Sequence, residues 1–477
     1  MRIQFFLGKY KSEKGSLVAL ALVFGGMFLM VTTGLSGYVL MQKKFQAAKE
    51  YNEQAFHIAE AGLEYYKWYL AHNPEDFSAG ESGSGPFVFP YTDPERGEIG
   101  EFSLFIEGKQ FCGELSTVEI TSTGRTHKDP SQTRTVYGKY TRPSVAEYAF
   151  ILNSNVWAGA DREIFGRYHS NGGIRMDGLN HSLVESGVES WECSSNFGCA
   201  GTQTVPGVFG AGANSSLWKY PSATIDFGGI TLDLAEIKQA VQNNGGIYLN
   251  PTGHGYHIVL NANRTASIYR VLNTHLIWTY SIEEGYHRRR EIIDREQFLG
   301  TVTIPQECPI IYAAANLWLE GEVSGKVSVI SARENTPAQN TNIYLSGDIT
   351  YANGSEEDGL TVIAENNIHI PLLSPDNMEL NGIFIAQKGN FGRNHYEIGG
   401  RYGVPWQYIQ FVKRHSLFVH GSIVSNGRVG TQWVCRGLYC SGYANRTNTY
   451  DRTLANNPPP LTPFTSTDYR FIEWRER

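Results

Sequence analysis

The chain has 477 residues, a formal net charge of -7 at pH 7 and a sequence pI near 6.0. A chain of that length is longer than a domain with one hydrophobic core usually is, which predicts two or three folded units. The negative net charge argues against nucleic acid as a partner. Only 18% of the residues are charged, 13% are aromatic and 51 are glycine, a composition typical of β-rich extracellular proteins.

The first predicted element is a helix that spans a membrane. From Ser16 to Met41 the sequence contains no charged residue, which exceeds the roughly 20 apolar residues that cross a bilayer. Residues 1–15 form a leader with four basic side chains and one acid: Arg2, Lys9, Lys11, Lys14 and Glu13. That excess favours a single-pass protein of the cell membrane, with its N-terminus in the cytoplasm and its C-terminal domain outside.

The same helix is predicted to continue beyond the membrane, over residues 16–71. No proline occurs between Ser16 and Asn73, and Asn73-Pro74 then supplies a stop signal. One narrow apolar stripe runs along the outer half, through Ala48, Ala55, Ala59, Gly62, Tyr66 and Tyr69. Either the protein's own β domain or neighbouring helices must cover this stripe.

Two motifs in this region resemble those of type IV pilus proteins. Lys14-Gly15, directly before Ser16 and the apolar run, resembles a prepilin signal that prepilin peptidase cuts after the glycine. The stretch from Ala55 to Glu64 contains Ala59, Glu60, Ala61 and Gly62, and it resembles the A-F-x-x-A-E-A-G-L-E motif of PilX-type minor pilins and of pseudopilin K. The resemblance covers residues 10–72. It implies that the partners are the membrane, other pilin or pseudopilin subunits and prepilin peptidase.

Two positions depart from the usual pilin pattern. After cleavage the chain would begin with Ser16, where most pilins have phenylalanine, and its fifth residue would be Leu20, where most have glutamate. In major pilins that glutamate is thought to pair with the terminal amine of a neighbouring subunit. Pseudopilin K also lacks it and caps the filament tip. The resemblance therefore implies a minor or tip subunit, or an uncleaved anchor, rather than a bulk filament subunit.

A small antiparallel β-meander is predicted next, within residues 72–143. Between Glu101 and Arg142 the apolar residues alternate with a period of two, and glycines interrupt the alternation. This pattern predicts three strands. Ile120–Gly124 and Arg134–Val136 resemble strands of PilX-like heads, and the order of a long helix followed by a meander is that of a pilin globular head.

Residues 144–477 are predicted to form a large, mostly β ectodomain. Thr231–Asn243 is the one good helical pattern. Short apolar strands recur elsewhere, often before a Gly- or Asn-centred corner: 149–152, 256–260, 310–313, 327–330, 343–345, 360–363, 383–385 and 417–419. Such rungs favour a β-solenoid (β-helix), in which each rung buries every second side chain. A sandwich of short strands remains the alternative, because the spacing is irregular.

The ectodomain also resembles uncharacterised ectodomains that are attached to PilX-like anchors. The residues that carry this resemblance are Phe165–Ile174, Asn316–Gly321, Pro458–Pro460 and Trp474–Glu476. No activity is assigned to those domains, so the resemblance implies none here.

Four of the six cysteines form two close pairs, Cys193 with Cys199 and Cys435 with Cys440. Loops this short can close as disulfides in an oxidising compartment. Zinc is the competing interpretation, but neither pair has the two-residue spacing of a zinc knuckle. The spacing therefore favours local disulfides. Cys112 and Cys308 are expected to be simple buried residues.

Three groups of residues are candidates for a catalytic or ligand-binding site. His169-Ser170, with Asp161 and Asp177, could be read as a hydrolase site, but no nucleophile elbow surrounds the serine. Asp348 and the acids of the loop 353–359 could bind calcium, although a solvated acidic turn is the simpler interpretation. The run 287–290, with Tyr280 and Tyr286 nearby, could contact an anionic glycan or phosphate but is expected to be an exposed loop.

The function expected from these observations is that of a membrane-anchored minor pilin or pseudopilin. It would present its β ectodomain at the cell surface or pilus tip, for pilus assembly or for adhesion to a surface glycan or protein. No nucleotide-binding or metal motif occurs, so we expect no enzymatic activity, no cofactor and no metal. The alternative is a membrane-tethered β-helix protein that binds or degrades polysaccharide.

Overall fold

The protein is described by a computed structural model. It covers residues 16–73, 76–83, 85–112, 114–333, 340–466 and 468–476. The chain divides into two compact units. The first contains the N-terminal helix with residues up to 106, residues 120–138 and residues from 474 onward, and the second contains residues 107–119 and 139–473. The boundaries predicted from the sequence, with residues 144–477 as the ectodomain, stay a prediction.

The helices of the described residues are α1 (Ser16–His72), α2 (Leu234–Asn243) and α3 (Arg452–Asn456). The strands up to the middle of the chain are β1 (Phe87–Asp93), β2 (Gly97–Phe111), β3 (Glu114–Thr126), β4 (Thr133–Thr141), β5 (Tyr148–Leu152), β6 (Val156–Ala158), β7 (Arg162–Phe165), β8 (Arg167–Ser170), β9 (Ile174–Met176), β10 (Leu179–Asn180), β11 (Val184–Ser186), β12 (Ser190–Cys193), β13 (Gln203–Pro206), β14 (Val208–Phe209), β15 (Trp218–Lys219) and β16 (Ile247–Leu249). The remaining strands are β17 (Gly255–Asn261), β18 (Thr265–Ser281), β19 (Gly285–Thr303), β20 (Ile310–Ala313), β21 (Leu317–Val323), β22 (Lys326–Ser331), β23 (Ile343–Tyr351), β24 (Gly359–Ala364), β25 (Ile368–His369), β26 (Asn377–Ala386), β27 (Phe391–Gly392), β28 (Lys413–Ser425), β29 (Gln432–Cys435), β30 (Leu438–Thr449) and β31 (Arg470–Glu476).

The predicted long helix is confirmed as α1, which has 57 residues. At 1.5 Å per residue it is about 85 Å long. Within the described part of the chain it is the one helix long and apolar enough to cross a membrane, and none of its most apolar segment is buried.

The small sheet has five strands in the order β1-β2-β3-β4-β31, rather than the three that were expected. Strand β1 pairs with β2 in antiparallel register, Phe87 opposite Leu104. It contains Pro90, which sequence patterns treat as a strand breaker but which an edge strand tolerates. The fifth strand, β31, follows β4 by more than 300 residues along the chain, so no local pattern could have predicted its place.

In the second unit a ladder of short parallel strands forms one stacked column of side chains. Ile311, Val329, Val362, Phe384 and Ile423 lie on successive paired strands, from β20 to β28. The column then continues into residues that precede them in the sequence, because Ile423 pairs with Phe150, Phe150 with Tyr168 and Tyr168 with Val184. All of these side chains are fully buried or nearly so and belong to one core.

The alternate residues of the same strands face a second core. Ile310, Tyr312, Ile330, Ile363 and Ile383 are among its members. Helix α2 covers this core with Leu234, Ile237 and Val241. The helix begins three residues after its predicted start, because the Asp233 carboxylate caps it by accepting hydrogen bonds from the backbone N–H groups of Ala235 and Glu236. Strands buried on both faces are expected of parallel ladders.

Parallel ladders also run along the other faces of this unit. One leads from β17 through β21 and β23 to β25 and β27, and another leads from β26 through β28 and β30 to β7 and β10. Gly382 and Gly421 pair with each other where their strands turn between faces, with φ of 146° and 140°. A side chain at Gly421 would meet the backbone of Gly382, so both the conformation and the close approach require glycine.

A long antiparallel hairpin, β18–β19, extends from this framework. Its strands have 17 and 19 residues, and its tip is the turn between Ser281 and Gly285. The run His287–Arg290 lies in β19, so the expectation of an exposed loop there is wrong. Arg289 contacts His369, and the Arg288 guanidinium lies 4.9 Å from the centre of the Trp278 ring. Pairing with β18 is what converts this charged run into a strand.

Candidate functional site

The N-terminal part of α1 is an apolar surface against which no described residue packs. Large apolar side chains from Leu17 to Phe45 are between 45% and 79% exposed. The hydroxyls of Thr32 and Ser36 donate to the carbonyl oxygens of Phe28 and Thr32, each at 2.8 Å. Because the helix accepts these hydrogen bonds on its own carbonyl oxygens, the Thr32 and Ser36 hydroxyls present no unpaired donor to an apolar environment.

Four glycines leave shallow depressions on this surface: Gly25, Gly26, Gly34 and Gly37. A Cβ atom at any of them would meet no described atom within 4 Å. Small residues at such spacing allow another helix to approach closely. The arrangement can therefore accept lipid tails or the helices of other subunits, and its chemistry is purely apolar packing.

The second half of α1 packs on the small sheet through the A-E-A-G motif. Ala55 and Ala59 are completely buried, and Gly124 of β3 lies against their backbone. Gly62 lies against Phe102, whose Cδ2 atom would be 2.8 Å from a Cβ at this position. The small residues of the motif are therefore explained by close contact between helix and sheet.

The other members of the motif lie at the edge of that contact. Ala61 and Glu60 are partly exposed, and the Glu60 carboxylate is 3.3 Å from Nδ1 of His57 on the preceding turn. Of the predicted processing residues, Lys14 and Gly15 lie outside the described residues, and Ser16 is the first residue of α1. Leu20 is 57% exposed.

At the C-terminal end of α1, a hydrogen bond fixes the turn that follows. The Tyr69 hydroxyl donates to the Asp76 carboxylate. Hydrogen bonds from the Ser78 side chain and from Tyr69 lower the pKa of Asp76 to about 2, and the bond to Asp76 raises the pKa of Tyr69 to about 12. Tyr69 belongs to the predicted stripe, and this bond gives it a role at the helix end.

The six cysteines form three disulfides in the structure. Cys193 and Cys199 close a loop with their Cα atoms 6.0 Å apart, and Cys435 and Cys440 close another at 5.7 Å. Cys112 and Cys308, expected to be simple buried residues, also form a disulfide with a Cα separation of 4.4 Å. The spacing of 196 residues hid this pair from local reasoning.

The residues weighed as a hydrolase site belong to separate networks. His169 Nε2 lies 3.0 Å from Oδ1 of Asn171, whereas the Ser170 hydroxyl donates to the Ser154 carbonyl oxygen at 2.7 Å. Asp161 forms a bidentate pair with Arg446 at 2.7 Å. Asp177 accepts hydrogen bonds from Trp157 and Arg175. Burial lowers the pKa of His169. The histidine and the serine are thus not aligned for proton transfer.

The acidic loop after β23 is held by one buried carboxylate. Asp358 is fully buried and accepts hydrogen bonds from the backbone N–H groups of Gly325 and Asn353. Glu356 and Glu357 are exposed. Asp358 is therefore a structural residue, and the expectation of a wholly solvated turn is wrong at this position. Asp348 is separate, accepting a hydrogen bond from the backbone N–H of Glu379.

Comparisons with known proteins identify no family for this chain. No protein-family model matches the sequence, and no curated protein is significantly similar to it. Among solved structures, the crystal structure of the competence-associated pilin ComZ from Thermus thermophilus is similar to this chain with a TM-score of 0.32 and 12% sequence identity. That alignment covers 90% of this chain and 97% of ComZ.

Proposed function

We propose that this chain is a membrane-anchored minor pilin or pseudopilin of the PilX type. In this proposal the first half of α1 is embedded in the membrane or among the helices of other subunits, and the second half is the spine of a small globular head. The ectodomain is presented at the cell surface or pilus tip, for assembly or adhesion, and the N-terminus is cytoplasmic. The role is non-catalytic and involves no nucleic acid.

One observation carries this proposal: a single uninterrupted helix changes its surroundings halfway along. Large side chains from Leu17 to Phe45 are exposed, whereas Ala55, Ala59 and Leu63 are at most 1% exposed against the sheet. A soluble core helix would be buried along its whole apolar face. A cleaved secretory signal would not share one helix with the core of the domain that follows it.

We further propose that the ladders of the second unit form a β-solenoid. Support comes from the one-to-one parallel pairing, which stacks like residues such as Ile330 and Ile363 on adjacent strands. An antiparallel sandwich, the alternative, would pair its strands in the opposite sense. A rigid stack of this kind would suit the presentation of a binding surface away from a membrane.

Processing by prepilin peptidase is tested by mass spectrometry of the N-terminus of protein purified from its native membrane. The expected mature chain begins at Ser16. A Gly15→Val variant should retain the leader, because a branched side chain replaces the glycine before the cut. An unprocessed wild-type chain, in cells that process their other pilins, would leave only a static anchor.

Assembly with other subunits is tested by photo-crosslinking from within α1. A photoreactive amino acid at Phe28, which is 70% exposed, should give adducts with other pilin subunits in whole cells. The same residue at Phe102, which is 5% exposed beneath the helix, is the matched control and should give none. Adducts with lipid alone at Phe28 would contradict the assembly role while leaving the membrane anchor intact.

A further inference from the structure

Five aromatic side chains form a continuous row in the second unit. Trp433, Tyr280, Tyr286, Tyr402 and Trp278 follow one another with ring-centre distances of 5.7, 5.0, 4.2 and 5.0 Å. Three of these distances lie within the range of roughly 4.5–7 Å for favourable aromatic pairs, and the stacked pair of Tyr286 and Tyr402 is closer. Tyr286 is 43% exposed and the other rings are partly exposed, so the row borders solvent.

Backbone hydrogen bonds fix the middle of this row. Tyr280, at the tip of the β18–β19 hairpin, exchanges two backbone hydrogen bonds of 3.0 Å with His395. The Trp433 indole N–H donates to the carbonyl oxygen of Arg393 at 2.8 Å. Tyr280 and Trp433 are therefore held in place before any ligand arrives, which reduces the entropy lost on binding.

A cavity of about 630 Å³ lies beside the row. Trp433, Tyr280 and Tyr286 line it together with Trp157, whose indole N–H donates to Asp177. Both short disulfide loops border it as well, the first through residues 195 and 196 and the second through Cys435. A smaller cavity of about 60 Å³ shares Trp433 and four other lining residues with it.

Some of the residues that line these cavities carry buried polar atoms without a hydrogen-bond partner in the described part of the chain. Asn394 is 7% exposed, lines the smaller cavity, and its Nδ2 atom has no hydrogen-bond partner among the described residues. Nδ1 of His395 and Nη1 of Arg428, which line the larger cavity, are likewise buried and without a partner in the described part of the chain. Burial lowers the pKa of His395, which favours its neutral form. Buried polar atoms are normally satisfied, so these three atoms are the groups at this site that a polar ligand could hydrogen-bond.

The charges around the cavities are largely balanced. Arg446 is paired with Asp161, and the buried Arg393 guanidinium donates to three backbone carbonyl oxygens and to Ser374. Arg428 donates to the carbonyl oxygen of Asn196 and interacts electrostatically with Glu283. The arginines that line the cavities are therefore held by partners and form no row of free cations there for the phosphate backbone of a nucleic acid. At the other end of the aromatic row, the Arg288 and Arg401 guanidiniums lie over the Trp278 and Tyr402 rings.

We propose that this aromatic row and its cavities form a binding groove for an uncharged oligosaccharide. Sugar rings carry C–H groups that pack on aromatic faces and hydroxyls that satisfy planar polar side chains such as Asn394. A proline-rich peptide would also stack on aromatic rings but offers few groups to the unpartnered donors. This proposal adds a ligand class to the proposed role at the cell surface. It rests on that role only for the location of the groove outside the cell.

The test measures binding to the full-length protein in a detergent that has no sugar headgroup. Cellohexaose, maltohexaose and chitohexaose are titrated by calorimetry and by tryptophan fluorescence. We expect saturable binding of at least one of them. Trp433→Ala and, separately, Tyr286→Ala should weaken it by about tenfold or more, as loss of a central aromatic contact does at other interfaces. Trp406→Ala is the matched control, since Trp406 is 83% exposed and borders neither cavity, and it should bind like the wild type.

Three results would overturn the proposal. The first is that none of the three hexasaccharides binds. The second is that both groove variants bind with the affinity of the wild type. The third is that a thymidine dodecanucleotide or a proline-rich decapeptide binds more tightly and is not displaced by the hexasaccharides. The exposed Tyr286 keeps the test valid if Trp433→Ala misfolds. Because binding is measured on the isolated protein, its failure is distinct from failure of pilus assembly.

Discussion

Replacing Gly62 with alanine tests the close contact between α1 and the small sheet. Two effects oppose each other. Alanine favours the helix over glycine by about 0.5–1 kcal/mol. The new Cβ would, however, lie 2.8 Å from Cδ2 of Phe102 and would clash with the Ser122 hydroxyl oxygen. Forcing an extra carbon into a packed core costs about 1–3 kcal/mol. The net loss in the local stability of helix and sheet then lies between about 0 and 2.5 kcal/mol, and we expect a value in the middle of that range, about 0.5–2 kcal/mol.

Hydrogen exchange followed by mass spectrometry measures this local stability without unfolding the second unit. Amides in residues 97–106 and 120–126 should exchange about 2- to 30-fold faster in Gly62→Ala than in the wild type. Adding Ser122→Ala should recover part of the loss, since it removes the nearest atom and leaves the Phe102 ring. Gly37→Ala is the matched control, because its Cβ meets no described atom within 4 Å. Slower exchange in Gly62→Ala would refute the packing argument and make helix propensity the larger effect.

Three further predictions concern the second unit. The His257 ring nitrogens lie 2.9 Å from the Glu296 carboxylate and 3.2 Å from the Glu320 carboxylate. Burial by itself lowers the pKa of His257, but the hydrogen bonds to the two acids outweigh burial and raise this pKa above its usual value. The same hydrogen bond lowers the pKa of Glu320. The stability that protonated His257 contributes is fully present below its unfolded pKa of 6.5 and is lost as the pH rises through its folded pKa. The difference in melting temperature between the wild type and His257→Gln should therefore shrink from pH 6 to pH 9. A constant difference would contradict this assignment. Replacing Cys112 and Cys308 with alanine opens a loop of 196 residues and should lower the free energy of unfolding by about 5 kcal/mol in the chain-entropy model. The same change at Cys193 and Cys199 should lower it by about 2 kcal/mol, because that loop is much shorter. Equal losses of stability for the two variants in thermal unfolding would contradict this prediction. Phe384→Ala removes a fully buried ring from the stacked column and should cost about 3–5 kcal/mol in urea unfolding, whereas Phe418→Ala, at 37% exposure, should cost much less.

Sequence reasoning predicted best where the interactions are local. The eight strands that it proposed within residues 144–477 all lie within observed strands, because short apolar runs between turn residues mark a buried strand. It missed β1, where Pro90 breaks the pattern. The classification of the ectodomain as a β-solenoid stays a prediction, as do processing at Gly15 and pilus assembly.

The sequence predicts only a small part of the candidate groove. Tyr280 and Tyr286 were noted beside the basic run, but Trp433, His395 and Asn394 carried no signal of their own. The one available hint was the two short cysteine pairs, since both loops border the groove. Aromatic residues are common in cores, and only their positions in three dimensions distinguish a row of partly exposed rings from a core.

The sequence by itself determined the long helix, its apolar half and the two short disulfide loops, since each depends on residues within a few turns of one another. Tertiary structure alone decided which strands pair. Ile423 lies beside Phe150, Cys112 is joined to Cys308, and the last strand, β31, completes the sheet that β1 begins. Parallel pairing leaves no local pattern, because a strand's partner is selected by how whole columns of side chains pack rather than by its neighbours in the chain.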